Sequence, residues 1–376
     1  MAALNVIMNG STGSAIDFCR QPTQSSYVAQ TVFLSVIFVI TLLGNATVCL
    51  TVFLTSSLHA FTNYIVASLA VSDLMVALFS LPFRIHQTVH NTHWCLGASA
   101  CAFWIWADMF CCCASIMNLA LISLDRFLAT KYPLNYQELI NRAGKIAMVV
   151  TVWLYSFVVA SLSLRNWTSP EGPLVKTING CFKPDPYFYT FAAALGFFLP
   201  LIVIILAYSY VFRVAVGHWR AIGRLTVPAH SDTTTQRRAL SREIKAAKTL
   251  AIVIGAFTLC WMPLFIIILA TFWCTGCFKP QGDSNLAGFF MFVNITFVYT
   301  LPNINSTLNP LIYVLFSKKL RQAFVRMFEA IWAKISGAND RNLNRINPDT
   351  SQGLDRSSNT VFNYRKSFAT SSNRDS

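Results

Sequence analysis

The chain has 376 residues, of which 55% are hydrophobic and only 12% are charged. A soluble domain of this size carries about 25% charged residues, so the composition excludes an ordinary water-soluble protein. The formal net charge of +14 could indicate nucleic-acid binding, but the basic residues concentrate in short segments between apolar stretches and in the tail, so we expect no nucleic-acid partner.

Seven apolar stretches follow one another along the chain. A helix needs about 20 mostly apolar residues to cross the bilayer, and helices satisfy their own backbone hydrogen bonds in lipid. We therefore predict an all-α membrane protein, a bundle of seven transmembrane helices in contact with the lipid bilayer. The predicted spans are Ala29–Phe53, Phe61–Phe83, Cys101–Leu124, Ile146–Leu164, Tyr187–Phe212, Thr249–Phe272 and Ala287–Phe316.

The distribution of Lys and Arg predicts the orientation of these spans. With the N-terminus outside, six of the 29 basic residues lie on the outer side, and the excess lies inside, as the positive-inside rule requires. We expect a plasma-membrane protein with residues 1–26 extracellular and without a cleaved signal peptide. The outer basic residues are Arg20, Arg84, Arg165, Lys176, Lys183 and Lys279.

The inner side carries the longest loop and the C-terminal segments. The loop Arg213–Lys248 has a polar middle, Thr226–Gln236, which we expect to be mobile. Apolar residues at helical spacing in Ser317–Ile335 predict an amphipathic helix on the inner leaflet, which completes a membrane domain at 27–335. The polar tail, 336–376, is predicted to be a disordered cytoplasmic segment.

Six cysteines lie on the predicted outer side, an oxidising face, and therefore indicate disulfides. A metal site at Cys274-x-x-Cys277 is the alternative, although no matching His or Cys pair accompanies it. Asn9 and Asn166 begin glycosylation sequons on the same side. The six outer cysteines are Cys19, Cys95, Cys101, Cys181, Cys274 and Cys277.

Two carboxylates lie inside predicted spans, where a charge is costly and therefore indicates a function. Asp73 is at the middle of the second span and could hold a sodium ion with polar residues of other spans. The alternative is a protonated Asp73 that makes structural hydrogen bonds. The polar residues in question are Asn45, Ser115, Asn305, Ser306 and Asn309.

Asp108 lies near the outer mouth of the third span, and the sequence places no Lys or Arg at the same depth. A buried carboxylate without a partner is costly, and the ammonium group of a small ligand would supply that partner. Aromatic residues suited to cation–π contact with such a ligand are Trp104, Phe197, Trp261, Phe265 and Tyr299. The alternative is a carboxylate that faces water and binds no ligand.

Several short motifs occur in one order along the chain and resemble those of the rhodopsin-like, class A family of G-protein-coupled receptors. Asp108 matches the amine-binding position of the aminergic branch, and the segments Ala114–Leu119 and Glu243–Leu250 resemble dopamine and adrenergic receptors. The family motifs are Gly44-Asn45, Leu69–Asp73, Asp125-Arg126-Phe127, Trp153, Phe257–Pro263 and Asn309–Tyr313.

The resemblance implies a receptor and no enzyme, with no cofactor other than the sodium ion. Its partners would be a small amine, a heterotrimeric G protein, arrestin and a receptor kinase. It implies disulfides Cys101–Cys181 and Cys274–Cys277. The implied ligand-binding residues are Asp108, Trp104, Met109, Cys112, Ala192, Ala193, Gly196, Phe197, Trp261, Leu264, Phe265, Tyr299 and Asn303.

The resemblance also implies a switch that runs to the inner end. Arg126 would pair with Asp125 and Glu243 in the inactive state and bind the G protein when released. The kink at Pro263 would let the sixth span pivot. Residues with related implied roles are Pro133 and Leu134, which would dock on the Gα subunit, and Tyr208, Pro310 and Tyr313, which would rearrange on activation.

The chain departs from the aminergic pattern at three places. Ala192, Ala193 and Gly196 stand where catecholamine receptors have serines, so no hydroxyl can meet a catechol there. Leu264 replaces a phenylalanine, and Asn303 stands where aminergic receptors have a tyrosine and opsins their retinal lysine. These departures favour the alternative function, a receptor of the same fold for a peptide or a neutral ligand.

Overall fold

The apolar stretches form a bundle of long helices, which a computed structural model describes over residues 19, 23–55, 58, 60–177, 180–224, 231–274, 293–316 and 318–335. Within these residues, six helices are long and apolar enough to cross a membrane. They confirm the predicted all-helical class. They are Tyr27–Leu54, Phe61–Val89, Gly97–Lys131, Arg142–Leu164, Pro186–Gly217 and Ala251–Trp273.

The predicted seventh span begins outside the described residues and is described from residue 293. A π-helical segment, Asn294–Thr300, leads into the helix Leu301–Phe316. Several helices begin earlier or end later than the predicted spans, and the short helix Tyr136–Leu139 lies in the loop between the third and fourth spans. The bounds of the remaining helices are Ser25–Leu54, Phe61–Phe79 with Leu81–Val89, Gly97–Lys131, Tyr136–Leu139, Arg142–Ser161, Pro186–Ala193 with Leu199–Arg224, Ser231–Trp273 and Lys318–Ile335.

Two spans contain a π-helical turn immediately before a proline. In the fifth span, Ala194–Phe198 is π-helical, and the Leu199 N–H bonds to the Ala194 carbonyl one residue beyond the α-helical partner. The seventh span repeats this pattern at Asn294–Thr300. Because Pro200 and Pro302 have no N–H to donate, the preceding turn widens rather than keeping the α-helical pairing.

The long inner loop is shorter than the sequence predicts. The fifth-span helix continues to Arg224, and the sixth-span helix already begins at Ser231. Polar residues therefore extend both helices beyond the apolar stretches, and the predicted mobile middle is helical from Ser231 onward. The two helices extend this far because a helix can continue into water once tertiary packing has nucleated it.

The predicted amphipathic helix is confirmed as Lys318–Ile335. Leu320 and Phe324 are buried, and Thr51 of the first span donates to Met327 Sδ at 3.4 Å. Phe328 and Trp332 are exposed on the other side of the helix. The helix thus packs on the first span and leaves apolar side chains free to enter a lipid surface. The tail, 336–376, lies outside the described residues.

The third span is the centre of the bundle, and most of its residues are buried. Trp153 of the fourth span donates to the Ser68 hydroxyl of the second span at 3.1 Å. This hydrogen bond links two of the spans that surround the third. Gly44 allows the first span to approach the seventh, because a Cβ atom at this position would lie 3.0 Å from the Pro310 ring. The family-like glycine therefore has a packing role.

Candidate functional site

Disulfides tie together one end of the bundle, which we call the outer end in keeping with the predicted orientation. Cys101 of the third span pairs with Cys181 of the following loop, and Cys19 pairs with Cys95. Cys274 is also disulfide-bonded, which leaves no thiolate for a metal site there, while Cys277 lies outside the described residues. The first pairing is the one that the family resemblance implied.

Asp108 faces the second span just below this end. Its Oδ1 accepts a hydrogen bond of 2.5 Å from the Ser80 hydroxyl, and the side chain is half-buried. No Lys, Arg or His among the described residues lies within 4 Å of its oxygens. Because one hydroxyl satisfies a small part of the carboxylate's hydrogen-bonding capacity, Asp108 can still accept a cation.

Arg84 lies closer to the bundle interior than the sequence suggests. The structure places it on Leu81–Val89, the helix that extends the second span by nine residues beyond Ser80. Its guanidinium lies 4.6 Å from the ring centre of Trp104, and that ring stacks on Trp94 at 5.3 Å. Trp104 is therefore packed against a protein cation and another indole, and it does not line the aromatic group described next.

Four aromatic rings form a continuous group between the fifth and sixth spans. Phe197 stacks on Phe265 at 4.8 Å and on Phe257 at 6.1 Å, while Trp261 lies 6.2 Å from both sixth-span phenylalanines. The structure thus brings together three of the predicted pocket aromatics, Phe197, Trp261 and Phe265. Leu264 is half-buried beside them, and the side chain of Tyr299 lies outside the described part.

The wall on the side of the fifth span is closed by a methionine. Ala192, Ala193 and Gly196 are all buried. A Cβ atom at Gly196 would lie only 2.3 Å from Met109 Cε and 3.4 Å from Val159 Cγ1. The missing fifth-span side chain is therefore compensated by Met109 from the third span. Cys112 and Asn303, also predicted to bind ligand, are buried.

Asp73 is fully buried in a polar layer at the middle of the bundle. The amide of Asn309 donates to Asp73 Oδ2 at 2.8 Å, and Ser306 supplies a further hydrogen bond. Ser115 donates to Oδ1 at a longer 3.5 Å. The predicted grouping of these residues is thus observed, and Asn305 is buried in the same helix turn.

Asn45 joins this layer through the backbone, since its amide donates to the Ser306 carbonyl at 3.0 Å. The side-chain oxygens of Asn45 and Asn118 are buried without a hydrogen-bond donor. Unpartnered acceptor oxygens near a carboxylate suit a small hard cation. No group of three His, Cys, Asp or Glu side chains in the described residues could hold a metal, so a cation here would need neutral oxygens in addition to the Asp73 carboxylate.

At the opposite, inner end, Arg126 is held by its neighbours. It pairs with Asp125 at 2.8 Å and donates to the Thr62 hydroxyl, while Thr62 donates to the same carboxylate at 2.7 Å. Tyr136 of the short loop helix donates to the other carboxylate oxygen. Burial and this hydrogen bond raise the pKa of Tyr136, so the phenol remains a donor. The sequence analysis missed Thr62 and Tyr136.

The other predicted switch residues are distributed along the fifth, sixth and seventh spans and the second inner loop. Tyr208 hydrogen-bonds to the Ala251 backbone of the sixth span, and Tyr313 is buried. Pro263 and Pro310 lie inside their helices as predicted. The Pro133-Leu134 pair projects from the loop, and Leu134 is 93% exposed. The side chain of Glu243 lies outside the described part, so its pairing with Arg126 stays a prediction.

A cavity of about 410 Å³ opens beside Arg126, between the second span, the loop helix and the start of the fourth span. Arg142 and Lys145 also line it, so the inner end presents a cationic recess. The inner end therefore presents an exposed leucine, Leu134, and a cationic recess, which a protein partner or an anionic group can contact.

Two charged residues in the loop after Cys181 were not singled out by the sequence analysis, although a lone Lys-x-Asp before a helix is visible there. Lys183 and Asp185 are both fully buried. Burial alone would raise the pKa of Asp185, but hydrogen bonds from Trp167, Thr168 and Phe188 lower it, as does Lys183. Burial lowers the pKa of Lys183, and Asp185 opposes that shift in part.

Asn166, the predicted glycosylation site in this loop, is buried. Its amide nitrogen donates to the Pro173 carbonyl at 3.2 Å, and its oxygen accepts from the Ser169 N–H. Any sugar would therefore have to be attached before this turn folds. Asn9, the other predicted site, lies outside the described residues.

Comparisons with known proteins agree with this architecture. A family model described as "7 transmembrane receptor (rhodopsin family)" matches residues 44–313. The "Probable G-protein coupled receptor No18" of Amphibalanus amphitrite is 30% identical over 350 residues, which are 80% of this chain and 89% of that protein. The human alpha-1A adrenergic receptor is 31% identical over 353 residues, 85% of this chain and 72% of the relative.

Dopamine receptor 1 of Drosophila melanogaster is 29% identical over 335 residues, 80% of this chain and 62% of the relative. The matched region includes every motif from Gly44 to Tyr313 that the sequence analysis used. The chain therefore belongs to the rhodopsin family of seven-transmembrane, G-protein-coupled receptors, has adrenergic and dopamine receptors among its relatives, and is a multi-pass membrane receptor rather than an enzyme.

Proposed function

We propose that this receptor binds a small cationic amine from outside the cell and activates a heterotrimeric G protein inside. The observation that carries the proposal is Asp108, a half-buried carboxylate with one hydroxyl partner and no ion pair within 4 Å among the described residues. The names of the adrenergic and dopamine relatives indicate that similar chains bind amines. An ammonium group would complete the coordination of Asp108.

The side chains of the fifth-span wall restrict which class of amine can bind. Ala192, Ala193 and Gly196 offer no hydroxyl, and Met109 fills the space beside Gly196. A catechol would leave its hydroxyl groups facing carbon, and unpaired buried polar groups are costly. The preferred ligand is therefore an amine without catechol hydroxyls, with its apolar part near the aromatic group of Phe197, Trp261 and Phe265.

Activation in this proposal is a population shift. The Arg126–Asp125 pair, braced by Thr62 and Tyr136, belongs to the closed inner end. An agonist that binds the open state more tightly than the closed state would increase the population of the open state. In that state Arg126 would be released from Asp125 and could contact the G protein. Arrestin and a receptor kinase would act on the tail, and the plasma membrane, with the N-terminus outside, is the expected location.

A sodium ion is proposed as a modulator at Asp73. The carboxylate oxygens of Asp73 and the hydroxyl groups of Ser115 and Ser72, which lie 3.0 Å apart, would hold it. Sodium would supply a positive charge that compensates the buried carboxylate in one conformation. The buried acceptor oxygens of Asn45 and Asn118 are consistent with a cation in this layer.

The test is a G-protein activation screen of monoamines on cells that express the receptor, run beside Asp108→Asn. A response to a non-catechol amine that is lost in Asp108→Asn, at equal surface expression, supports the proposal. Ser80→Ala is the matched control, since it removes the hydroxyl partner but keeps the charge and should shift potency only modestly. Silence to every amine in the wild type would contradict the amine assignment.

The alternative is a receptor of the same fold for a peptide or a neutral ligand. The fifth-span wall at Met109 and Gly196 favours it, because that wall is apolar and offers no hydroxyl group to an amine with a polar ring. A potent ligand whose response survives Asp108→Asn would establish this alternative and would remove the counter-ion role of Asp108.

A further inference from the structure

Lys183 is a fully buried lysine, 0% exposed, in the loop two residues beyond the Cys101–Cys181 disulfide. Its Nζ has no hydrogen-bond partner and no carboxylate within 4 Å among the described residues. Nζ lies over the ring of Phe188, 5.5 Å from the ring centre. A phenylalanine ring compensates an ammonium far less than a carboxylate does, so the charge of Lys183 is poorly satisfied.

The nearby Asp185 is already engaged by other donors. It accepts from the Trp167 N–H at 2.6 Å, the Thr168 hydroxyl at 2.8 Å and the Phe188 N–H at 3.2 Å. The last of these caps the first helical turn of the fifth span. Asp185 therefore holds the loop to the helix. It forms no ion pair with Lys183 within 4 Å, although the two charges still interact at longer range.

A second buried donor without a partner lies on the third span. The indole N–H of Trp104 has no acceptor. Trp104 is one helical turn before Asp108, on the same face of the third span. It also packs in one cluster with Cys101, Val175 and Cys181, from which the chain leads directly to Lys183.

Tyr189 connects Lys183 with the region of Asp108. Its hydroxyl hydrogen-bonds to the Lys183 backbone and lies within electrostatic range of both Asp108 and Arg84. The guanidinium of Arg84 adds positive charge beside Trp104. The outer part of the site thus combines one available carboxylate, Asp108, with two cationic side chains, an arrangement that a purely cationic ligand would not neutralise.

We propose that Lys183 and the Trp104 N–H bind an acidic group on the ligand while Asp108 binds its ammonium group. The ligand is then a zwitterion, an amino acid with its carboxylate separated from its amine. A carboxylate has acceptor positions for both donors, and bonds between charged partners are the strong ones. This inference rests on the proposed function, because it takes Asp108 as the counter-ion of the amine.

The experiment measures the thermal stability of the purified full-length receptor in lipid nanodiscs. The probes are ω-amino acids of increasing chain length, each paired with the alkylamine that lacks the carboxylate, together with tyrosine and tyramine. In the wild type, at least one amino acid should raise the Tm more than its matched amine. Lys183→Met should lower the apparent affinity for that amino acid at least tenfold and leave the matched amine within threefold.

Two variants separate binding from folding. Trp104→Phe removes the N–H together with part of the indole ring but keeps an aromatic side chain, and it should weaken binding of the amino acid more than binding of the amine. Lys176→Met changes an exposed lysine of the same loop and should alter neither. Without any probe, Lys183→Met should melt at a higher temperature than the wild type, because it removes a buried, poorly compensated charge.

Three outcomes overturn the proposal: an unchanged ratio of amino-acid to amine affinity in Lys183→Met, no Tm shift of the wild type by any amino acid, or a Lys183→Met receptor that is not stabilised. Asp108→Asn distinguishes this failure from failure of the proposed function. Loss of the amine response in Asp108→Asn with no effect of Lys183→Met defeats only the acidic-group site. Amine binding that survives Asp108→Asn defeats the counter-ion role itself.

Discussion

The contact between Met109 and Gly196 predicts that the free-energy cost of a serine at position 196 depends on the length of the side chain at position 109. A Cβ atom at Gly196 would lie 2.3 Å from Met109 Cε, a distance at which one of the two must move. Overpacking of a core costs about 1–3 kcal/mol. Because the obstructing atom is the end of a flexible side chain, we expect Gly196→Ser to cost about 1 kcal/mol, at the low end.

Met109→Ala alone leaves a void and should cost about 2–5 kcal/mol, as other truncations of buried methionines do. The serine would fill part of that void, so the double variant should be more stable than the sum of the single effects by about 1–2 kcal/mol. Phenolic or catechol amines should also be roughly twofold to tenfold more potent on the double variant, because one new neutral hydrogen bond contributes a binding free energy of that size.

The assay is thermal unfolding followed with a thiol-reactive fluorophore, since Cys111, Cys112 and Cys113 are free and buried in the folded receptor. Gly255→Ser is the matched control, because a Cβ atom there meets nothing within 4 Å. Strict additivity of Met109→Ala and Gly196→Ser, or a serine as harmless at position 196 as at 255, would show that Met109 does not occupy this space.

Three further predictions concern the inner end, the outer loop and the polar layer. Tyr136→Phe removes a hydrogen bond to Asp125 and should raise basal nucleotide exchange on the G protein roughly tenfold, since bonds to charged groups contribute about 1.5–3 kcal/mol; unchanged basal exchange would count against a restraining role. Asp185→Asn should destabilise the receptor by about 1–2 kcal/mol. The pKa of Asp185 is lowered in the folded state. The stability that its charge contributes is therefore present above about pH 4 and is lost as the pH falls through the folded-state pKa. Melting curves of the wild type and Asp185→Asn should converge in acid. Sodium chloride should raise the Tm relative to choline chloride in the wild type and not in Asp73→Asn, and an equal sodium effect in both would place the ion elsewhere.

The sequence predicted the features that depend on composition along one segment. Each span needs a long apolar run, and the runs were long enough to identify the helices and the amphipathic helix after them. The polar layer around Asp73 was also predictable, since polar side chains within transmembrane spans avoid lipid and contact one another inside the bundle. The Cys101–Cys181 pairing followed from family resemblance and was confirmed.

Features that depend on contacts between segments could not be predicted in this way. Nothing in the spacing shows that Met109 fills the space beside Gly196, because the two lie on different helices. Arg84 was assigned to an outer segment because hydropathy ends there, although the helix continues. Lys183 looked like one of several loop lysines, and its burial depends on how the loop folds over the fifth span.

The π-helical turns at Ala194–Phe198 and Asn294–Thr300 also affect how this receptor is compared with its relatives. Each accommodates one residue more than an α-helical turn, which rotates the outer part of its span by about 100° relative to the inner part. An alignment anchored on Pro200 and extended outward with an α-helical period would assign Ala192 and Phe188 to the wrong faces. Correspondence between this pocket and that of any relative without the same turns must therefore be established by superposition of backbones.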